Sequence, residues 1–262
     1  MAAFNQGENA VDSKKTERFK AMHRALQGEA AVHLRDMAAL LGVSEMTLRR
    51  DLVDNVQGLR LLGGHVTRSG APEPDYQVAE QDLRNIAEKR QIGQRAASLV
   101  RPGDTIFIDC GTTTPFIVDA LPDDLEFTAL CNSLNVLLKL QQKPLCTVIV
   151  CGGMLDRRNL VFESRAEAGI VDGIRVAWAF ISAAGVSAAH GVTCYNLNEV
   201  DVKQRVMARA QTCVLVADHS KFDQVRAAHF AELADFLRVV SDPALSQAHQ
   251  QIIQEGGAIL MV

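Results

Sequence analysis

Two short runs in this chain carry residue types suited to recognition. Ser44-Glu-Met-Thr-Leu-Arg-Arg50 sets two hydroxyls, a carboxylate, a thioether and adjacent arginines along one helical stretch. Arginines and hydroxyls grip phosphates, and side chains in the first turns of a helix laid in a major groove reach base edges. Asp109-Cys-Gly-Thr-Thr-Thr114 places a carboxylate, a glycine and three hydroxyls directly after the apolar run Thr105–Ile108. Glycine lets the backbone come close to a ligand, and free amides at a helix start attract an anion. Asp109 would repel such an anion and suits hydroxyl groups instead. The bland alternative at this run is a capped strand-to-helix turn with no ligand.

The elements around Ser44 fit a nucleic-acid reader. Lys14–Gln27 sets Phe19, Met22, Ala25 and Leu26 on one helical face. Leu34–Leu41 is a second apolar helix ending at Gly42, with His33 standing where a Ser or Thr cap is expected. Ser44 caps a third helix, about residues 44–53, and Glu45 complements its positive end. Leu48 and Leu52 are expected to turn inward with Val43 and Leu40. That leaves Glu45, Met46, Thr47, Arg49 and Arg50 facing outward to differing degrees. Leu59–Leu62 and His65–Thr67, around Gly63-Gly64, read as a β-hairpin. Three helices and a hairpin make a winged helix-turn-helix.

A chain of 262 residues holds a small domain and a larger one. Hydrophobic residues at 48% and charged residues at 22% fit a globular core, and no stretch nears the roughly 20 apolar residues of a membrane span. The polar start, Met1–Asp12, lacks the apolar centre of a signal peptide, so a cytoplasmic protein is expected. The net charge of −4 hides a split: residues 1–70 hold ten Lys/Arg against eight Asp/Glu, leaving 17 against 23 beyond them. A slightly basic head on an acidic body suits a DNA reader joined to a different domain. The six cysteines show no CxxC pair and no zinc-like spacing, so reduced thiols and no metal site are expected.

Residues 1–13 are expected to be disordered, 14–68 to form the winged head and 69–77 a linker, with two prolines and a glycine in Ser69–Asp75. From 78 to 262 apolar runs alternate with amphipathic ones. Strands are expected near 105–109, 126–131, 146–151, 176–182, 212–217, 237–240 and 258–262. Helices are expected near 80–99, 114–121, 133–142, 163–171, 198–211 and 243–254. This alternation predicts an α/β body, a mostly parallel sheet covered by helices. Ligands gather at strand C-termini in such sheets. Asn132-Ser133 follows the strand ending at Cys131, and Gly152-Gly153 follows Cys151. Thr114 would cap the helix opened by Pro115. Lys221, after Val214–Asp218, offers positive charge to an anion, or is a solvated lysine. Glu199 and Lys203 form an i,i+4 pair, ordinarily a weak surface salt bridge.

The run Leu41–Leu52 followed by Leu61-Leu-Gly-Gly64 resembles the signature of the DeoR family of bacterial repressors. The likeness continues through Asp109–Pro115, Cys151–Gly153, Ser182–Val186, Gly191–Asn196 and Asp218–Phe222. It implies a sensor domain similar to ribose-5-phosphate isomerase and glucosamine-6-phosphate deaminase, with a phosphorylated sugar as effector. For the branch these motifs match best, that effector is deoxyribose 5-phosphate. The implied effector set is Asp109, Gly111, Thr112, Thr113, Thr114, Asn132, Ser133, Gly152, Gly153, Glu199, Lys203 and Lys221. The implied DNA-contacting set is Ser44, Glu45, Met46, Thr47, Arg49 and Arg50. Related isomerases carry an Asp-Gly-Ala-Asp run where this chain has Ile181-Ser-Ala-Ala184, without the carboxylates that acid/base chemistry needs. The resemblance therefore implies a non-enzymatic homo-oligomer on operator DNA, without a cofactor. The alternatives are a regulator of a different sugar phosphate and an isomerase-like enzyme.

Overall fold

The computed structural model describes residues 6–26, 31–52, 59–62, 65–68, 84–163 and 169–262. The chain divides into two compact units, Met1–Asp75 with Arg226–Ala228, and Tyr76–Val225 with His229–Val262. The linker expected at 69–77 and the Gly63-Gly64 turn lie outside the described residues, as does the start, 1–5.

In the first unit, α1 spans Gln6–Ala25, β1 Ala31–His33, α2 Leu34–Leu41, α3 Glu45–Leu52, β2 Leu59–Leu62 and β3 His65–Arg68. Residues 6–13, expected to be disordered, are the first turns of α1. No Gly or Pro between Glu8 and Lys20 breaks the helix. The hairpin forms with Leu62 opposite His65, and β1, a strand missed by pattern, pairs antiparallel on β3's other side.

Phe19, Met22, Leu34, Met37, Leu48, Leu52, Leu59 and Val66 form one buried core. Leu40 does not join it: the side chain is 66% exposed, and Leu41 packs there instead. Helical spacing explains the correction, because Leu34, Met37, Ala38 and Leu41 fall at i, i+3, i+4 and i+7. The turn after α2 is fixed by Gly42 at φ 63°, with Gly42 N donating to Ala39 O at 3.2 Å and Val43 N to Ala38 O at 3.0 Å. His33, expected to be a poor cap, does the work: its Nδ1 accepts from Arg35 N at 3.1 Å.

The second unit is built on seven strands: β4 Thr105–Ile108, β5 Phe127–Cys131, β6 Cys146–Val150, β9 Val176–Ser182, β12 Ala210–Val216, β14 Arg238–Val240 and β15 Ile259–Met261. They run in the order β15-β14-β12-β9-β4-β5-β6, every pair parallel. Short strands make two small sheets, one of β7 Met154–Asp156 and β8 Val161–Glu163, the other of β10 Gly185–Ser187, β11 Gly191–Cys194 and β13 Ala228–Ala231. The helices are α4 Ile86–Ala97, α5 Pro115–Ala120, α6 Leu134–Leu140, α7 Asn198–Met207 and α8 Gln247–Glu255. Ile106, Ile108, Ala129, Phe180, Val214 and Val240 lie in its core, which is why these strands read as unbroken aliphatic runs rather than alternating ones.

Two helix expectations fall partly outside the described residues, on 80–83 and 164–168. Where the chain is described, Glu163 ends β8, Ile170–Gly173 is a single 3₁₀ turn after Gly169, and the helix that ends at Ala97 begins at Ile86, after Asn85 at φ 51°. Gly93 lets α4 approach α5 closely, since a Cβ there would stand 2.4 Å from the Phe116 carbonyl oxygen. No described helix is long and apolar enough to cross a membrane, and all six cysteines are free thiols.

From β4 the chain winds outward through β5 and β6, then returns to β9 and winds the other way. The sheet thus reverses between β4 and β9, where the C-terminal ends of open α/β strands leave a crevice. Leu48 is the load on which the head's geometry rests, being fully buried between the helices. Leu48→Ala is expected to destabilise the head by about 2–5 kcal/mol, read by urea unfolding, with operator binding lost at the same temperature.

Candidate DNA-reading helix and ligand cavity

The sequence places the outward residues of α3 as expected. Glu45, Met46, Arg49 and Arg50 are exposed, Met46 by 70%, and Thr47 is half-buried. Ser44 Oγ accepts from Thr47 N at 3.2 Å and shares a hydrogen bond with Thr47 Oγ1 at 2.9 Å, which closes the first turn. Arg49 sits 4.0 Å from Glu45, a loose exposed pair that leaves the guanidinium accessible. Asp51 is buried and holds Arg18 of α1 at 2.6 Å, so the last turn of α3 is clamped to the head. That clamp was not anticipated.

In the second unit a cavity opens at the sheet's reversal. Gly111, Thr112, Thr113, Glu199 and Lys221 line it, together with Cys110, Asn159, Ser182, Ala183, Ala184, Cys194 and Tyr195. Gly111 has φ 108°, and a Cβ there would meet Ser182 Oγ at 3.0 Å, so glycine is required by both backbone and space. Its carbonyl is held by Asn135 Nδ2 at 2.8 Å. Lys221 is half-buried, and among the described residues nothing pairs with its ammonium.

Beneath this wall lies a buried ion pair. Lys203 and Asp109 are both fully buried and in direct contact, Nζ against Oδ2. Asp109 Oδ2 also accepts from Ser182 N at 2.9 Å and from Ser182 Oγ at 3.0 Å. Lys203 donates further to Ser182 O at 3.2 Å and stands 5.0 Å over the Phe230 ring. Burial is the largest single influence and pushes this ammonium down, but the Asp109 carboxylate, with Cys110, Glu199 and Cys194 adding to it, outweighs that and holds the lysine well above its usual range. Glu199 and Lys203, an i,i+4 pair assigned to the effector set, are both buried and hold different partners, and only Glu199 lines the cavity. Glu199 Oε1 accepts from Asn159 Nδ2 at 3.0 Å and Asn196 Nδ2 at 2.8 Å, while Oε2 takes the Cys110 thiol at 3.5 Å. The reason is helix phase, because α7 turns its Glu199–Lys203–Val206 edge onto the sheet.

Other expected residues are placed apart. Thr114 does not cap α5 through its side chain; its hydroxyl turns back to Cys110 O at 3.2 Å. Asn132, Gly152 and Gly153 line a second cavity, beyond the C-terminal ends of β5 and β6. Ser133 is fully buried and lines neither cavity. Sequence reasoning missed Asn159 and Tyr195, which sit in loops without regular spacing, and also Asn85, whose Nδ2 donates to Asp218 Oδ1 at 2.9 Å. Burial pushes the Cys110 thiol well up, with the Asp109 and Glu199 charges adding to it, and burial likewise raises Cys194. Both face the cavity as neutral, weakly polar groups.

A winged helix-turn-helix joined to an α/β unit with a polar cavity at its sheet reversal defines a ligand-responsive DNA-binding regulator. The chain belongs to the DeoR family: residues 18–69 match the DeoR-like helix-turn-helix domain, and residues 84–243 match the DeoR C terminal sensor domain. It is 42% identical to the deoxyribose operon repressor of Escherichia coli strain K12, over 88% of this chain and 92% of that one. It is 27% identical to the HTH-type transcriptional regulator IolR of Bacillus subtilis, over 92% and 96%. Among solved structures it is similar to ribose 5 phosphate isomerase A from Neisseria gonorrhoeae, with a TM-score of 0.39 and 18% identity over 52% of this chain and 53% of that one. The protein is thus a DeoR-type transcriptional repressor with a sensor domain.

The buried pair yields a stability prediction. Lys203→Met alone strands the Asp109 carboxylate and is expected to destabilise the sensor domain by about 3–5 kcal/mol, whereas Lys203→Met with Asp109→Leu recovers most of that loss. Denaturant unfolding of the three proteins checks it; a double variant no more stable than the single one contradicts the pairing.

Proposed function

We propose that this repressor holds operator DNA through α3 and releases it when deoxyribose 5-phosphate enters the cavity at the sheet's reversal. One observation carries the reading: the Lys221 ammonium, without a partner among the described residues, lines the same cavity as the Gly111–Thr113 loop. A phosphate needs a cation, donor hydroxyls and a close backbone, and this wall supplies all three. Asn159 lines the same space, and its buried Oδ1 has no partner among the described residues. Cys194, Ala183 and Ala184 contribute little hydrogen-bonding capacity there, which suits a deoxy sugar better than a fully hydroxylated one. The name of the 42% identical relative, a deoxyribose operon repressor, supports the same effector.

The cavity binds without turning its ligand over. Its one carboxylate among the described lining residues, Glu199, is already committed to two amides and a thiol. General acid/base exchange between sugar carbons needs a free carboxylate within hydrogen-bond reach. On DNA, Arg49 and Arg50 grip phosphates while Ser44, Glu45, Met46 and Thr47 face the bases. A helix-turn-helix reads paired half-sites through a two-fold assembly, so the acting species is a homo-oligomer. Release requires only that the effector prefer the arrangement that fits DNA poorly.

Two variants separate the two halves of the proposal. Arg50→Ala is expected to weaken operator binding and lower the slope of log affinity against log salt by about one, with effector affinity unchanged by calorimetry. Lys221→Ala is expected to weaken deoxyribose 5-phosphate binding roughly 10- to 100-fold while operator affinity without effector stays as in the natural chain. Equal effector affinity in the Lys221 variant would remove the proposed phosphate site.

A further inference from the structure

Asn85 stands where a helix-capping residue belongs and does not cap. It precedes α4, and an asparagine in that place ordinarily turns its side-chain oxygen onto a free amide of the first turn. Here no such bond forms. The residue instead adopts φ 51° and ψ 42°, a left-handed backbone that strains any side chain, though asparagine less than most. Both local stabilities are given up for a contact 133 positions along the chain. The Asn85 carboxamide nitrogen donates to Asp218 Oδ1 at 2.9 Å and to Ser220 Oγ at 3.2 Å. Strain kept at one residue in this way points to a function for the contact that imposes it.

The far end of that contact is the turn that carries Lys221. His219–Lys221 is a single 3₁₀ turn capped by Asp218, whose side chain accepts from Ser220 N at 3.0 Å. The Ser220 hydroxyl donates to the same carboxylate oxygen, and Lys221 N donates to Asp218 O at 3.0 Å. Asp242 holds the turn as well, taking His219 N at 2.7 Å and the His219 ring at 2.9 Å. Three neutral donors thus converge on Asp218 Oδ1: Asn85 Nδ2, Ser220 N and Ser220 Oγ. An oxygen so occupied offers little to the ammonium three residues on, which lines the sheet-reversal cavity instead.

We propose that Asn85 is a positioning residue for the effector site. By filling Asp218 Oδ1 and pinning the turn from 218 to 221, its carboxamide keeps the Lys221 ammonium turned to the cavity and open to a phosphate. This role rests on the one proposed above for Lys221. Asn85 is not among the residues that line the cavity, so it touches no ligand and acts through the turn alone. Its effect on a ligand must therefore vanish once the ammonium is gone.

Calorimetric titration of deoxyribose 5-phosphate into the full chain and its variants tests it. Asn85→Gly fits the left-handed backbone and removes the carboxamide, whereas Asn85→Asp keeps its size and turns the donor into an acceptor facing Asp218. Each is expected to weaken binding about five- to twentyfold, and by less than about twofold when Lys221→Ala is also present. A residue that merely supported the fold would add its own loss to that of Lys221→Ala. Either variant suffices for the cycle if the other folds poorly by circular dichroism. Unchanged affinity in a folded Asn85 variant, or a loss that adds to that of Lys221→Ala, would overturn the positioning role and leave the phosphate site standing. Natural affinity in Lys221→Ala itself would remove the phosphate site, and this role with it.

Discussion

The sensor domain is organised around a lysine and an aspartate that meet out of water. Withdrawing two charges from solvent is costly, and attraction between them compensates only when geometry and hydrogen bonding are complete. Here Ser182 completes them, donating from its backbone and hydroxyl to Asp109 and accepting from Lys203. Three elements are joined at one point as a result: the end of β4, the end of β9 and the middle of α7. Because Asp109 opens the loop through Gly111 to Thr113, fixing it fixes the wall against which a phosphate would rest.

A division of charge follows from this arrangement. Along the ligand-facing edge of the sheet, Lys221 is the cation left without a partner among those lining the two cavities. Arg205, on the second cavity, is neutralised by the acids beside it.

Much of this was legible in the sequence, and the exceptions have physical causes. The longer strands of the large sheet announce themselves because burial on both faces leaves unbroken runs such as Val214–Val216. The helix-turn-helix is equally plain, because Gly42, Ser44, Leu48 and Leu52 each have one structural job at a fixed spacing. Short strands such as β1 and β10 carry too few residues to show a period, and only their partners define them. Glu199 and Lys203 were ambiguous for a different reason: an i,i+4 pair of opposite charge looks the same on paper whether it faces water or the sheet. Cavity membership was the least legible property, since Asn132 and Lys221 lie 89 positions apart and no local pattern says that a fold separates them.

The central claim is that occupation of the sheet-reversal cavity by a phosphorylated deoxy sugar loosens the grip on DNA. Its most direct test is fluorescence anisotropy of labelled operator bound to the full chain, titrated at fixed salt with deoxyribose 5-phosphate. A parallel titration uses deoxyribose mixed with equimolar inorganic phosphate. Saturable release by the first and none by the mixture is the expected result. Operator retained at saturating deoxyribose 5-phosphate, or released equally by the mixture, would contradict it.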